Sequence, residues 1–195
     1  MLLDMDRFPT SDAYIRAVSK RSHGNIVRAS KKAARLGVRC TSIQAESYAA
    51  SIAAIAASKR FRSGGPVLSA WLGGPRLVDT LAPPSVPPCS SHWTLTWGAF
   101  IQEEGRERLI AYISLRRVGN LCRTHQIMGH GDYLKTGGVK LLFLEVARWL
   151  MDRQDPRAQG LRWLMYGTME HGGAGLHEWK RLLCFEPANL RFVPG

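Results

Sequence analysis

No run of about 18 consecutive apolar residues occurs in this 195-residue chain, so the sequence gives no candidate for a membrane-spanning helix. The start of the chain also lacks the cations-then-apolar layout of a secretory signal, since Asp4 and Asp6 stand there instead. A soluble, cytoplasmic protein is the expectation. Cysteine is scarce. Cys40, Cys89, Cys122 and Cys184 are widely spaced and form neither a CxxC metal pair nor a disulfide-dense framework, so no metal is expected. No histidine stands beside any of the four to activate it, which predicts buried or free thiols. Zinc-finger spacing, an RRM signature and a bZIP heptad are all missing. So are internal repeats and low-complexity tracts.

Acidic residues are in short supply as well. Against 27 Lys/Arg there are 15 Asp/Glu, a net charge of +12 that favours polyanions such as nucleic acid, tRNA or the phosphates of CoA. The excess sits at the front: residues 1–62 hold 12 Lys/Arg against 4 Asp/Glu (+8), residues 63–195 hold 15 against 11 (+4). With 45% hydrophobic residues the chain can bury a core, and its length suits a single domain over residues 1–195. That domain reads as a basic helical part (11–62), a Pro-rich connection (73–91) and a sheet-bearing remainder (92–195). The composition fixes no oligomeric state.

From Ser11 to Leu36 the pattern predicts one or two helices, begun by Ser11-Asp12, broken near Gly24 and stopped by Gly37. Arg28, Lys31, Lys32 and Arg35 fall at i, i+3, i+4 and i+7, a basic stripe opposite Ile26, Ala29 and Ala33. The stripe reads either as a nucleic-acid-binding surface or as an ordinary solvated face. A packed helix is expected over 46–58, with Tyr48, Ile52 and Ile55 on one side. Pro75, Pro83, Pro84, Pro87 and Pro88 forbid a helix interior or central strand between 73 and 91. A three-stranded antiparallel meander follows, Trp93–Gln102, Arg108–Arg117 and Leu121–Met128, with Leu109, Ala111, Ile113 and Leu115 sharing one face. After the stretch Gly129–Gly138, a buried helix runs from about Val139 to Asp152. Then come a strand (161–166), a short helix (175–183) and a last strand (185–193) interrupted by Pro187.

Glycines between a strand and a buried helix let backbone N–H groups converge at the helix N-terminus, where phosphate binds. The Gly loop is therefore a candidate pyrophosphate cradle, or simply a bend. The order of meander, Gly loop, helix, strand, helix and strand resembles the GNAT acyltransferases. Within them Ser19-Lys20-Arg21-Ser22-His23-Gly24-Asn25-Ile26-Val27-Arg28-Ala29, with Lys32 and Gly37-Val38, looks like the entry helix of the FemAB-like branch, the peptidoglycan-bridge aminoacyltransferases. Gly175 to Pro187 resembles the ending of that branch, with Cys184 where the pattern usually has Gly.

The resemblance implies an α+β fold of GNAT type, a central, mostly antiparallel mixed sheet flanked by helices, with an N-terminal helical pair. It implies an N-acyltransferase that uses acetyl-CoA, another acyl-CoA or an aminoacyl-tRNA as donor and an amine as acceptor. The net charge, not the resemblance, points to an acceptor amine on something acidic, with a modified DNA base or a tRNA as candidates. By this resemblance Gln126, Ile127 and Met128 face the donor, Lys135, Thr136, Gly137, Gly138 and Val139 cradle its phosphates, and Tyr166 or Tyr133 is the acid. His125, His130, Asp132 and Glu170 are the candidate bases, His because its pKa lies near neutrality. His130 reads more readily as a residue holding the turn, and Asp132 as a cap. Lys180 contacts a phosphate or the reacting carbonyl by the resemblance; otherwise it and Arg181 are cations favoured by a helix C-terminus. Trp71 alone of the tryptophans looks free to stack. The contrasting reading is a non-catalytic nucleic-acid-binding protein that uses the stripe from Arg28 to Arg35.

Overall fold

The computed structural model describes residues 1–59, 61–62, 65–66, 89–167 and 172–190; Glu170, Trp71 and most of the Pro-rich connection lie outside them. A six-stranded mixed sheet runs in the order β1 (Leu2–Asp4), β8 (Trp163–Tyr166), β7 (Leu121–Gly129), β6 (Arg106–Val118), β5 (His92–Glu103), β2 (Arg39–Ile43). A separate two-residue pairing joins β3 (Phe61–Arg62) to β4 (Gly65–Pro66). All neighbours in the large sheet are antiparallel except β7 and β8, whose parallel pairing requires the crossover helix α4 (Gly138–Asp152).

Helices α1 (Ser11–Arg21) and α2 (Asn25–Arg35) pack with α4 against one face of the sheet. The other face is covered by α3 (Ala49–Ala57), whose Ile52, Ile55 and Ala56 meet Phe100, Leu109, Tyr112 and Met128. The start of α1 is set by Thr10 rather than by Ser11-Asp12, for the Thr10 Oγ1 accepts from the Ala13 N–H at 3.1 Å. Helix α4 turns Leu142, Phe143, Val146, Ala147 and Leu150 inward, while Lys140, Glu145, Arg148 and Asp152 stay at the surface.

Two β-bulges change the alternation expected from the sequence. In β6, Ala99 pairs with Ala111 but Phe100 with Leu109, so Ile110 is an extra residue. Leu109 therefore joins Tyr112 on the α3 side, whereas Ala111, Ile113 and Leu115 join the main core. In β7, Gln126 pairs with Ser114 and Thr124 with Leu115, which leaves His125 as the extra residue.

The expected last strand over 185–193 is not formed in its described part, where only Glu186 makes a single bridge, to Leu2. The outer edge of β8 is already taken by β1, in the register Leu2 to Met165 and Asp4 to Trp163. Helix α5 (Ala174–Leu182) closes this end of the chain. Its last turn closes with the Phe185 N–H on the Lys180 carbonyl and the Cys184 N–H on the Arg181 carbonyl. This hydrogen-bond pair needs a left-handed residue at Cys184, and Cys184 takes φ +67. The cysteine keeps the backbone shape for which glycine is usual.

Candidate functional site

Pairing between β7 and β8 covers only Leu121–Thr124 and Trp163–Tyr166. Beyond Thr124, β7 continues to Gly129 with β6 on one side, and no described strand pairs with its other side. Alternate backbone groups of residues 125–128 therefore have no described strand beside them, and we call this place the opening. The opening lies at the carboxyl ends of two parallel strands, the end of an α/β sheet at which ligands bind. Helix α4 begins at the same end, because the loop from Gly129 to Gly137 delivers it there.

Three polar atoms in this region are buried without a hydrogen-bond partner: Thr124 Oγ1, Gln126 Nε2 and His177 Nε2. Thr124 and Gln126 belong to β7 where the strands part, and His177 lies one turn before Lys180 on α5. A buried polar group left unpaired costs about 1–3 kcal/mol, so such a group in a native fold calls for an explanation, a ligand among them. The other end of Gln126 is fixed, its Oε1 accepting from the Tyr112 hydroxyl at 3.0 Å.

Tyr166 ends β8, and its buried ring stands edge-on to Phe185 at 5.6 Å between centroids. Burial pushes its phenol well above the usual range, while an indole N–H of Trp179 donates to the oxygen. Lys180 reaches over the same ring, Nζ 5.6 Å from the centroid. It is 1% exposed, and burial lowers the pKa of its ammonium. This removes the plainer view of Lys180 as a surface cation at a helix end. Arg181 fits that view: it is exposed and pairs with Glu178 at 2.7 Å. Tyr166 and Lys180, far apart in sequence, are thus brought together beside Gly167.

The other expected bases are placed differently. His125 is half-buried on the β7 bulge, and burial together with the charges of Arg123 and Arg116 lowers its pKa, which favours the neutral imidazole. His130 caps the 3₁₀ turn Gly131–Thr136, its Nδ1 accepting from the Asp132 N–H at 3.4 Å. The carboxylate of Asp132 is 85% exposed and 3.7 Å from that ring, so it stands in solvent and not in the opening. Tyr133 gives its hydroxyl proton to Glu103 and accepts from Arg108 at 2.8 Å, a group on the rim of the loop. Ile127 packs on the main core and Met128 on the α3 side.

The loop itself is held from two sides. From α3, Ser58 Oγ accepts from the Gly131 N–H at 2.8 Å. From α2, Lys32 donates to the Lys135 carbonyl at 3.1 Å, and a Cβ on Gly137 would collide with the Ala29 carbonyl oxygen. Gly137, at φ +88, is the N-cap of α4 and offers no side chain. Thr136 Oγ1 accepts from the Gly138 N–H at 3.1 Å, and no acidic residue occupies the first turn of α4. The field at this helix end is therefore not cancelled by a carboxylate. Arg28, Lys31, Lys32 and Arg35 are all exposed on α2 next to it, so the basic stripe adjoins the Gly loop instead of lying apart from it.

Sequence reasoning missed Thr124, His177 and Trp179. Only His177 left a usable signal, its spacing of three from Lys180 on a predicted helix. It also missed a Cys–His pair: Cys89 Sγ lies 3.2 Å from Nδ1 of His92, three residues on. Among the described residues, no three His, Cys, Asp or Glu side chains gather as a metal site, and no helix is long and apolar enough to cross a membrane.

No protein-family model matches the sequence, and no curated protein sequence matches it. Among solved structures, a tandem GNAT protein from the clavulanic acid biosynthesis pathway, determined without AcCoA, is similar at 19% identity with a TM-score of 0.38. The likeness covers 60% of this chain and 34% of that one, so the chain spans about a third of the neighbour's length. A likeness of that grade carries no functional argument.

Proposed function

We propose that the chain is an N-acyltransferase of GNAT type, which takes an acyl-CoA donor into the opening between β7 and β8 and passes its acyl group to an amine. The observation that carries this reading is the parting of the parallel pair after Thr124 and Tyr166, with the N-terminus of α4 at the same end. The edge of β7 at residues 125–128, with no described strand beside it, suits the extended, amide-bearing arm of such a donor, and the α4 N-terminus with Lys135 suits its pyrophosphate. No ligand is needed to preshape the loop, which Ser58 and Ala29 already hold.

Transfer to an amine needs a neutral amine, charge stabilisation for the tetrahedral oxyanion and a proton for the leaving thiolate. In this reading Tyr166, protonated at neutral pH, is the acid for the leaving thiolate. Lys180 stabilises the developing negative charge from under the Tyr166 ring. His125, held neutral at pH 7, takes the amine proton directly or through water, and Glu170 is the other candidate base. An aminoacyl-tRNA donor and the FemAB-like branch rest on the Ser19–Ala29 and Gly175–Pro187 stretches alone. A nucleic-acid acceptor rests on the charge alone.

The basic stripe is assigned to the donor's phosphates, because it borders the loop. The variant Arg28→Gln/Lys31→Gln/Lys32→Gln/Arg35→Gln keeps helix propensity and gives up exposed contacts such as that of Lys32 to the Lys135 carbonyl, so it should still fold. An exposed ion pair is worth about 0.2–1 kcal/mol, so loss of two or three phosphate contacts should raise the acetyl-CoA Kd roughly 2- to 150-fold. Wild-type binding should weaken between about 0.05 and 0.5 M salt, as screening shortens from about 14 to 4 Å, and the variant should lose most of that dependence. Calorimetric titration reads both quantities. Wild-type Kd and salt dependence in the variant would make the stripe a solvated face. Unchanged acetyl-CoA binding with lost tRNA binding would favour the non-catalytic nucleic-acid reading.

A further inference from the structure

We propose that Cys89 is a redox-responsive modification site, a thiolate poised by His92 and Ser91 to take up a low-molecular-weight disulfide by thiol–disulfide exchange. Cys89 is exposed, with Sγ 3.2 Å from His92 Nδ1 and 3.3 Å from Ser91 Oγ. Both neighbours can donate to a sulfur anion. The pair is preorganised by the backbone, for Cys89 and His92 exchange N–H···O=C bonds of 3.1 and 3.3 Å across a two-residue turn. Two buried side chains pin that turn. Trp93 Nε1 donates to the Ser90 carbonyl at 3.1 Å, and Arg117 Nη1 donates to the same oxygen at 3.0 Å. Arg117, 4% exposed, also holds the carbonyls of Gly119, Arg157 and Gln159. Its guanidinium and a Cys89 thiolate attract one another. Among the described residues, His92, Ser91 and Arg117 are the polar and charged groups that face the sulfur.

These contacts lower the Cys89 pKa to about 6, the Ser91 and His92 hydrogen bonds being the largest causes. The other thiols move the opposite way, burial pushing Cys40 and Cys122 up to about 12 and raising Cys184 too. Of the four thiols, Cys89 is the one whose pKa its surroundings lower. In the exchange, Sγ attacks one sulfur of the disulfide RS–SR, the old S–S bond breaks, Cys89–S–S–R forms, and RS⁻ leaves and takes up a proton from solvent. No other oxidant is required. The turn lies where β5 begins, at the sheet end opposite the opening between β7 and β8. The site is therefore distinct from the one proposed for acyl transfer.

The magnitudes say at which pH to look. At pH 6 about half of Cys89 is thiolate, against about 0.3% of an ordinary cysteine of pKa 8.5, a roughly 150-fold excess. Nucleophilicity falls with basicity by about tenfold over this difference, so the net advantage is about tenfold at pH 6 and gone by about pH 8. The intact chain is incubated with oxidised glutathione across this pH range, and its mass and peptide map are followed. One glutathionyl group should appear on Cys89, at a rate whose midpoint lies near pH 6. Cys89→Ser should abolish it, and His92→Leu should raise the midpoint by about a unit or more towards the free-thiol value. Label shared among Cys40 and Cys184, a midpoint near that of free cysteine, or a His92→Leu profile equal to wild type would overturn the proposal.

Discussion

Gly137→Ala should destabilise the fold by at least about 3 kcal/mol, well beyond the 1–2 kcal/mol that a left-handed backbone costs an L residue. Gly137 has φ +88, and the added methyl would meet the Ala29 carbonyl, a backbone atom in the middle of α2 that cannot turn aside. Either α2 lifts from α4 or the loop shifts. Gly37→Ala is the control, because Gly37 has φ +76 but nothing within 4 Å of the new Cβ. It should pay only the backbone term. For a chain of this size about 1 kcal/mol moves Tm by roughly 2–4 °C, so scanning calorimetry should show a fall of 6–12 °C for Gly137→Ala and about 2–8 °C for Gly37→Ala. Equal falls would mean that α2 does not rest on the loop. A consequence for the proposed donor site is that Gly137 cannot be replaced as a silent probe of phosphate binding, since the loop and α2 move together.

Lys180→Met and Tyr166→Phe should each lower kcat for acetyl transfer to a small amine about 10²- to 10³-fold, with the acetyl-CoA KM changed far less. Both should also lose some stability. Methionine keeps the length of the lysine side chain but gives up every contact of the buried ammonium, and should cost about 1–3 kcal/mol. Phenylalanine removes the oxygen that accepts from Trp179, and should cost about 1 kcal/mol or somewhat more. Their roles separate by leaving group. With a thioester whose thiol is more acidic than that of CoA, the need for a proton falls, so Tyr166→Phe should recover much of its rate while Lys180→Met should not. Rates within threefold of wild type for both variants, on both donors, would remove Tyr166 and Lys180 from the reaction.

The sequence shows some of this structure plainly and hides the rest for identifiable reasons. Strands β5 to β7 and helix α4 announce themselves by long alternating or helical patterns, and their observed ends lie within two residues of expectation. Strand β2, Arg39-Cys40-Thr41-Ser42-Ile43, is a polar edge strand with no fully buried residue, so it carries no periodic signal. Strand β1 has three residues and is defined only by its partner β8. Because β1 fills the edge of β8, the described residues after Phe185 meet the sheet only through the Glu186 bridge to Leu2, which periodicity could not reveal. The bulge at His125 leaves no mark in composition either, yet it changes which way β7 presents its side chains. Of the candidate site, the Gly loop and Tyr166 with Lys180 were legible from local pattern and resemblance. The approach of α2 to Gly137 was not, since the stripe and the loop are some hundred residues apart and only packing joins them.

Native mass spectrometry of the full chain mixed with acetyl-CoA tests the proposed acyltransferase most directly. One acetyl-CoA should bind per chain, the adduct should weaken as salt rises, and the Arg28/Lys31/Lys32/Arg35 variant should hold it less well than wild type. A chain that stays folded and shows no adduct at saturating acetyl-CoA would contradict an acyl-CoA donor in the opening between β7 and β8.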